Sequence, residues 1–312
     1  ANEINLMTGG ISSQINIYAD TKKKDSFHAK YEVRSKILYQ NLEEGLRLLS
    51  EILMGTQITD EKRLYEILAR IKSRLQMSLS SAGHSVSAMR AMSYFSPVAR
   101  FNDLVGGIAL YRTIAELEEK KQFLMDKLRS LTEKIFVKNR LLISLTADAE
   151  GYQLLEEKFP QFLTVLPDGA KEGEAVTFHC EKKNEGFLDA SKVQYVSRAG
   201  NYLSKGYSYT GALRILKVIL SYDYLWINVR VKGGAYGCMS GFMRNGDAYF
   251  TSYRYPNLKS TNEIYEGIPA YLRAFDADER DMTKYIIGTV SDMDTPLNPA
   301  AKGMRSVSAY LT

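Results

Sequence analysis

Cysteine is scarce. Cys180 and Cys238 are the two in the chain, far apart and in unrelated contexts, so they form neither a disulfide framework nor a metal knuckle, and a reducing, cytoplasmic setting is expected. Histidine is nearly as rare. His28, His84 and His179 are widely separated, and none has a second histidine one helical turn away to grip a tetrahedral metal. Each is expected to be structural, His84 as a polar packing residue beside Gly83. No apolar run approaches the roughly 20 residues that span a bilayer, and the N-terminus lacks the layout of a secretion signal, so no membrane partner is expected. Dense charge is missing too: 41 basic and 36 acidic residues are interspersed for a net +5. The short runs Lys22-Lys23-Lys24 and Lys182-Lys183 read as solvated loops, and no nucleic-acid partner is expected. No Gly-x-Ser-x-Gly elbow offers a nucleophile. Gly233-Gly234 lacks the Lys-Ser/Thr of a phosphate loop and the third glycine of a dinucleotide fingerprint.

What is present is a chain of 312 residues, 45% hydrophobic, long enough for two domains. The reading is α+β: two tandem α/β sandwich domains, 1–133 and 134–312, each a mostly antiparallel sheet with helices on one face. Gly10–Ala19 alternates, with Ile11, Ile15 and Ile17 on one side, and Phe27–Lys36 alternates again after a turn, which predicts a hairpin. From Asn41 the period becomes helical through Leu42, Leu46, Leu49 and Leu53. A second helix starts at Thr59 or Asp60 and buries Leu64, Ile67, Leu68, Ile71 and Leu75, bending at Ser78–Ser87, and a third covers Asp103–Leu131. Ile135–Thr146 reads as the strand opening the second domain, and the boundary falls near Glu133. A helix over Glu150–Phe162, a loop over Pro167–Leu188 and a strand over Val193–Ala199 follow. Then come an apolar helix Thr210–Leu225 capped by Thr210, a strand Ala248–Arg254, a helix capped by Ser260, and another starting at Asp278. The last segment begins a helix and stops, so the second domain is expected to be cut short and the chain to be a piece of something longer.

The densest chemistry lies in Asn228–Gly237, where Arg230, Gly233, Gly234 and Tyr236 follow the apolar run Tyr224-Leu225-Trp226-Ile227. A guanidinium and a phenol brought close by glycines suit a peptide carbonyl or its oxyanion. The same residues also suit a plain glycine turn between a helix and a strand. Tyr249, Phe250, Tyr253 and Tyr255 could line a chamber for unfolded peptide side chains, or be core and sheet-face residues.

Arg230 to Asn257 (RVKGGAYGCMSGFMRNGDAYFTSYRYPN) resembles the C-terminal half of the pitrilysin/insulinase-type zinc metalloendopeptidases, in their presequence-protease branch. Thr8-Gly9-Gly10-Ile11, the helix at Leu42–Leu53 and Ser81-Ala82-Gly83-His84 extend the likeness over most of the chain. The resemblance implies a duplicated domain and a clamshell enzyme degrading short unfolded peptides. It implies that Tyr236 donates to the oxyanion or the carbonyl beside the scissile bond and Arg230 holds an adjacent carbonyl, with Gly233, Gly234, Ala235 and Tyr253 against the substrate. Zinc would belong to an N-terminal half, because this chain has no inverted His-x-x-Glu-His helix. The chain is therefore expected to bind no metal and to be inactive alone, its partners being the peptide and that N-terminal half. The alternative within the superfamily is a non-catalytic structural or assembly subunit. A helical adaptor built on Asn41–Leu131 is a third reading, and it leaves the strand-rich second half unexplained.

Overall fold

The structure is a computed structural model that describes every residue except Ala1, Lys24, Glu119, 170–175 and Ser191, together with all side chains outside these but those of Lys121 and Gln122. After a short helix α1 (Asn2–Met7), strands β1 (Ile11–Ala19) and β2 (Phe27–Ser35) form the expected antiparallel hairpin, Ile11 opposite Ser35 and Ala19 opposite Phe27. Its buried residue is Tyr18 rather than the isoleucines, and Ile15 is exposed. The Tyr18 hydroxyl donates to Glu32, which Arg34 also holds, so a polar network fixes that face.

Helices follow in quick succession: α2 (Leu42–Gly55), α3 (Glu61–Ser81), α4 (Gly83–Met92), α5 (Pro97–Gly106), α6 (Ile108–Leu117) and α7 (Lys121–Ile135). Asp60 caps α3 as its sequence predicts, accepting from the Arg63 amide at 2.8 Å. Leu68 packs with Ile114 and Leu124, while Ile67, counted among the inward residues, is exposed. The single helix expected over Asp103–Leu131 is three. The first break is at Gly106–Gly107, where a β-carbon on Gly107 would lie 2.3 Å from an Asp103 carboxylate oxygen.

The strand expected at Ile135–Thr146 does not form. Ile135 ends α7, a 3-10 turn follows at Lys138–Arg140, and Leu141, Leu142, Ile143 and Leu145 stand exposed in irregular chain with no strand beside them among the described residues. An apolar run carries no period to separate strand from other structure, and a strand exists only where another can pair with it. Helix α8 (Ala149–Thr164) then packs Phe162 against Leu46 of α2.

A second sheet orders β3 (Ser197–Asn201), β5 (Asp247–Tyr253) and β4 (Gly237–Phe242), all antiparallel with β5 central. Helix α4 lies on one face, where the Thr251 hydroxyl donates to the His84 carbonyl and the Ser87 and Ser197 hydroxyls meet at 2.7 Å. The other face packs Val196, Phe250 and Tyr255 against α10 (Leu258–Arg273) and the helical wind that follows α9 (Ala212–Ile219). The α+β class is as expected, but helices cover both faces of this sheet rather than one, because alternating residues such as Phe250 and Thr251 each find a helix. Helices α11 (Glu279–Met293) and α12 (Pro299–Leu311) complete the chain, and Asp278 caps α11 as expected. Two other expected caps fail. Gly211 and Asn257 occupy the cap positions of α9 and α10, while Thr210 offers only its carbonyl and Ser260 sits inside α10.

Candidate functional site

Helix α9 runs on into wider π-helical turns, Leu220–Tyr224 and Trp226–Val231, the Lys232 amide reaching back to the Ile227 carbonyl at 2.9 Å. Leu220, Leu225 and Val229 are fully buried, and their steps of five and four residues suit this wider winding. Such windings recur at functional sites. With Val229 facing the core, the next residue, Arg230, is exposed, and its guanidinium lies 4.1 Å above the Trp226 ring centre. Sequence reasoning placed Trp226 only in an apolar run, although an aromatic four residues before an arginine on a helix is a stacking signal.

The chain then turns sharply. The Gly234 amide donates to the Arg230 carbonyl at 2.9 Å, that of Ala235 to Val229 at 3.1 Å, and that of Tyr236 to Tyr253 at 3.0 Å, which starts β4. Gly234 has φ +79°, a left-handed conformation that glycine takes freely. The turn swings Tyr236 back until its ring centre is 6.0 Å from the Arg230 guanidinium, and the ring is 69% exposed. Gly233 and Ala235, both expected to touch substrate, face inward: Ala235 is buried, and Gly233 lies against Tyr255. A β-carbon on Gly233 would sit 2.4 Å from the Tyr255 hydroxyl and 2.6 Å from the Val229 carbonyl oxygen, whereas one on Gly234 meets nothing. Gly234→Ala is therefore expected to cost only the left-handed backbone term of about 1–2 kcal/mol. Gly233→Ala should cost more, because a backbone oxygen cannot swing away. Denaturation midpoints of the two variants check the order.

Tyr253 is the member of the aromatic group that meets Tyr236, edge to face at 6.1 Å. Tyr255 is buried, Phe250 packs on Tyr265, and Tyr249 lies over Gly241, so these three serve the sheet. Below Tyr253 lie His84, with ring centres 4.7 Å apart, and Tyr195, at 5.9 Å. His84 is the packing residue expected, and its Nδ1 is buried without a partner among the described residues. Burial lowers its pKa below the ordinary value of 6.5. The unfolded chain then binds more protons than the folded one as pH falls through 6.5, so stability is lost on that side. His84→Phe is expected to flatten this loss, seen by comparing melting temperatures at pH 7.5 and 5.5 for the two proteins.

Neither Arg230 nor Arg254 has a carboxylate partner among the described residues, and each lies over a ring, Arg254 5.3 Å from the centre of Tyr253. Burial pushes the neighbouring Cys238 thiol up to about 11, against the pull of the Arg230 charge, so it is no nucleophile at neutral pH. Both cysteines are free thiols. The described residues contain no group of three or more His, Cys, Asp or Glu able to hold a metal ion, and so do not fit zinc. No helix among them is long and apolar enough to cross a membrane.

Residues 1–117 match the family of segments associated with peptidases of family M16, subfamily C, and residues 183–312 match the PreP C-terminal domain. Together the two matches support the C-terminal half of a presequence-protease-type M16 peptidase. Protein HypA of Clostridium perfringens is 40% identical over 100% of the chain, which covers 32% of that relative. Presequence protease 1, chloroplastic/mitochondrial, of Arabidopsis thaliana is 29% identical over 99% of the chain and 29% of its own length. The mitochondrial presequence protease of Xenopus laevis is 23% identical over 97% of the chain and 33% of its own length. The chain thus spans about a third of the presequence proteases and the related protein it matches.

Proposed function

We propose that this chain supplies the metal-free wall of a zinc metalloendopeptidase site that cleaves short unfolded peptides. Zinc is held by an N-terminal part of the protein, on the same polypeptide or a partner chain. The observation that carries the reading is the convergence of two exposed donors, the Arg230 guanidinium and the Tyr236 phenol, neither engaged by a carboxylate among the described residues. The Tyr236 hydroxyl donates to the carbonyl oxygen as negative charge develops there, and the guanidinium, prepositioned on Trp226, holds a neighbouring backbone carbonyl of the peptide. Gly234 keeps this wall free of side chains, and Tyr253 extends it as an aromatic surface. Free thiols at Cys180 and Cys238 suit a reducing, cytoplasmic setting, although the relatives from Arabidopsis thaliana and Xenopus laevis are named as mitochondrial or chloroplastic proteins.

Tyr236→Phe in the protein that also carries the zinc-binding part tests this reading. Turnover of an unstructured peptide should collapse while folding is unchanged. A variant that turns over as the parent does would remove Tyr236 from the site, and a parent that turns over no peptide would favour the non-catalytic reading.

A further inference from the structure

The register of the second sheet slips beside the candidate site. The Ser252 amide donates to the Val196 carbonyl at 2.9 Å, and Tyr255 then exchanges both backbone hydrogen bonds with Gln194. Tyr195 alone thus stands opposite two residues, Tyr253 and Arg254, which is a β-bulge, a device that re-aims side chains next to active sites. Arg254 takes the left-handed backbone conformation, φ +53°, rare for a residue that is not glycine. The bulge turns the Arg254 guanidinium over the Tyr253 ring and into an open groove of about 650 Å³. Ser73, Gln76, Ser80 and Ser81 of α3 line its other side, and Tyr195 forms part of the floor, with its hydroxyl donating to the Ser80 carbonyl at 3.0 Å.

The polar chemistry of this lining is one-sided. Beside Met77 and Val193, hydroxyls and an amide share the groove with a guanidinium, no acidic residue lines it, and Arg254 has no carboxylate partner among the described residues. An arginine fork with hydroxyl donors beside it matches a carboxylate. The groove also adjoins the proposed catalytic wall: Tyr195 and Arg254 both touch Tyr253, and Tyr253 touches Tyr236. Two ring contacts correspond to roughly three or four residues of extended peptide. We infer that the groove between α3 and the Arg254 bulge is a specificity subsite that takes a carboxylate of the bound peptide, a few residues from the bond that Tyr236 serves. This rests on the peptidase reading for the identity of its ligand. The carboxylate belongs either to an acidic side chain or to the peptide's C-terminus.

Four fluorescently labelled versions of one unstructured peptide separate these sources: a Glu form and its Gln counterpart, each with a free or an amidated C-terminus. Binding is read by anisotropy with the metal chelated, and turnover is read with zinc present, both in the protein carrying the zinc-binding part. The parent is expected to bind one carboxylate form about tenfold more tightly than its neutral counterpart. Arg254→Asn, whose side chain tolerates left-handed backbone, should abolish that preference while leaving affinity for the doubly neutral peptide and kcat unchanged; Arg254→Lys should restore part of it. The Glu/Gln pair identifies a side-chain carboxylate, and the acid/amide pair the C-terminus. Equal affinities in the parent, or equal weakening of all four peptides in Arg254→Asn, would overturn the subsite and leave the peptidase reading intact. A carboxylate preference that persists in a protein showing no turnover would do the reverse.

Discussion

Tyr236→Phe in the zinc-bearing protein is expected to lower kcat by roughly 10²- to 10³-fold, the usual effect of removing one oxyanion donor. The phenol ring is 69% exposed and its packing on Tyr253 survives the substitution, so the fold loses nothing with the hydroxyl. Stability should stay within about 0.5 kcal/mol of the parent, as for surface changes away from special features. KM should move little, because the lost bond strengthens as charge develops in the transition state rather than on binding. Arg230→Lys should impair the enzyme despite keeping the charge, since lysine lacks the planar fork that stacks on Trp226 and grips a carbonyl. Steady-state kinetics beside a thermal melt separate these effects from misfolding.

Arg90→Met is expected to be the most destabilising of the changes considered, by about 3–5 kcal/mol. Arg90 is buried between α4 and α5, where its guanidinium donates to Asp103 at 2.6 Å and to Glu185 at 2.7 Å, and it stacks on Tyr94. Asp103 is completely buried, so removing the arginine strands a charge that keeps only long contacts, to Arg100 at 3.5 Å and from the Ala109 amide at 3.4 Å. The same arginine ties down the irregular chain around Glu185, inside the stretch Pro167–Leu188 that the sequence presents as a loop. Replacing Asp103 as well, in Arg90→Met/Asp103→Leu, should recover a large part of the loss. Chemical denaturation of the single and double variants checks both statements; an Arg90→Met protein as stable as the parent would show that the network is dispensable.

The features legible in the sequence were local ones. A hairpin at β1 and β2, the caps at Asp60 and Asp278, the bend at Gly83 and the convergence of Arg230 with Tyr236 all depend on neighbours within a few residues. Several misreadings depended on partners distant in sequence. Leu141 to Leu145 look like a strand, but no strand lies alongside them among the described residues. The bulge at Tyr253-Arg254 exists only because Tyr195, far upstream, pairs across from it, so Arg254 carried no sequence signal beyond its place before a Tyr-Pro turn. Ala235 sits beside Tyr236 in sequence yet enters the core, because the glycine turn sends successive residues to opposite sides. The boundary near Glu133 remains an expectation; α8, placed beyond it, packs on α2 before it.

The measurement that bears most directly on the account is the turnover of Arg230→Met/Tyr236→Phe in the zinc-bearing protein, made on samples of equal zinc content. The account predicts unchanged metal content and melting temperature, with turnover reduced at least as far as in Tyr236→Phe alone. Turnover within about twofold of the parent, a difference of less than about 0.5 kcal/mol in the barrier, would contradict it and remove both residues from the site.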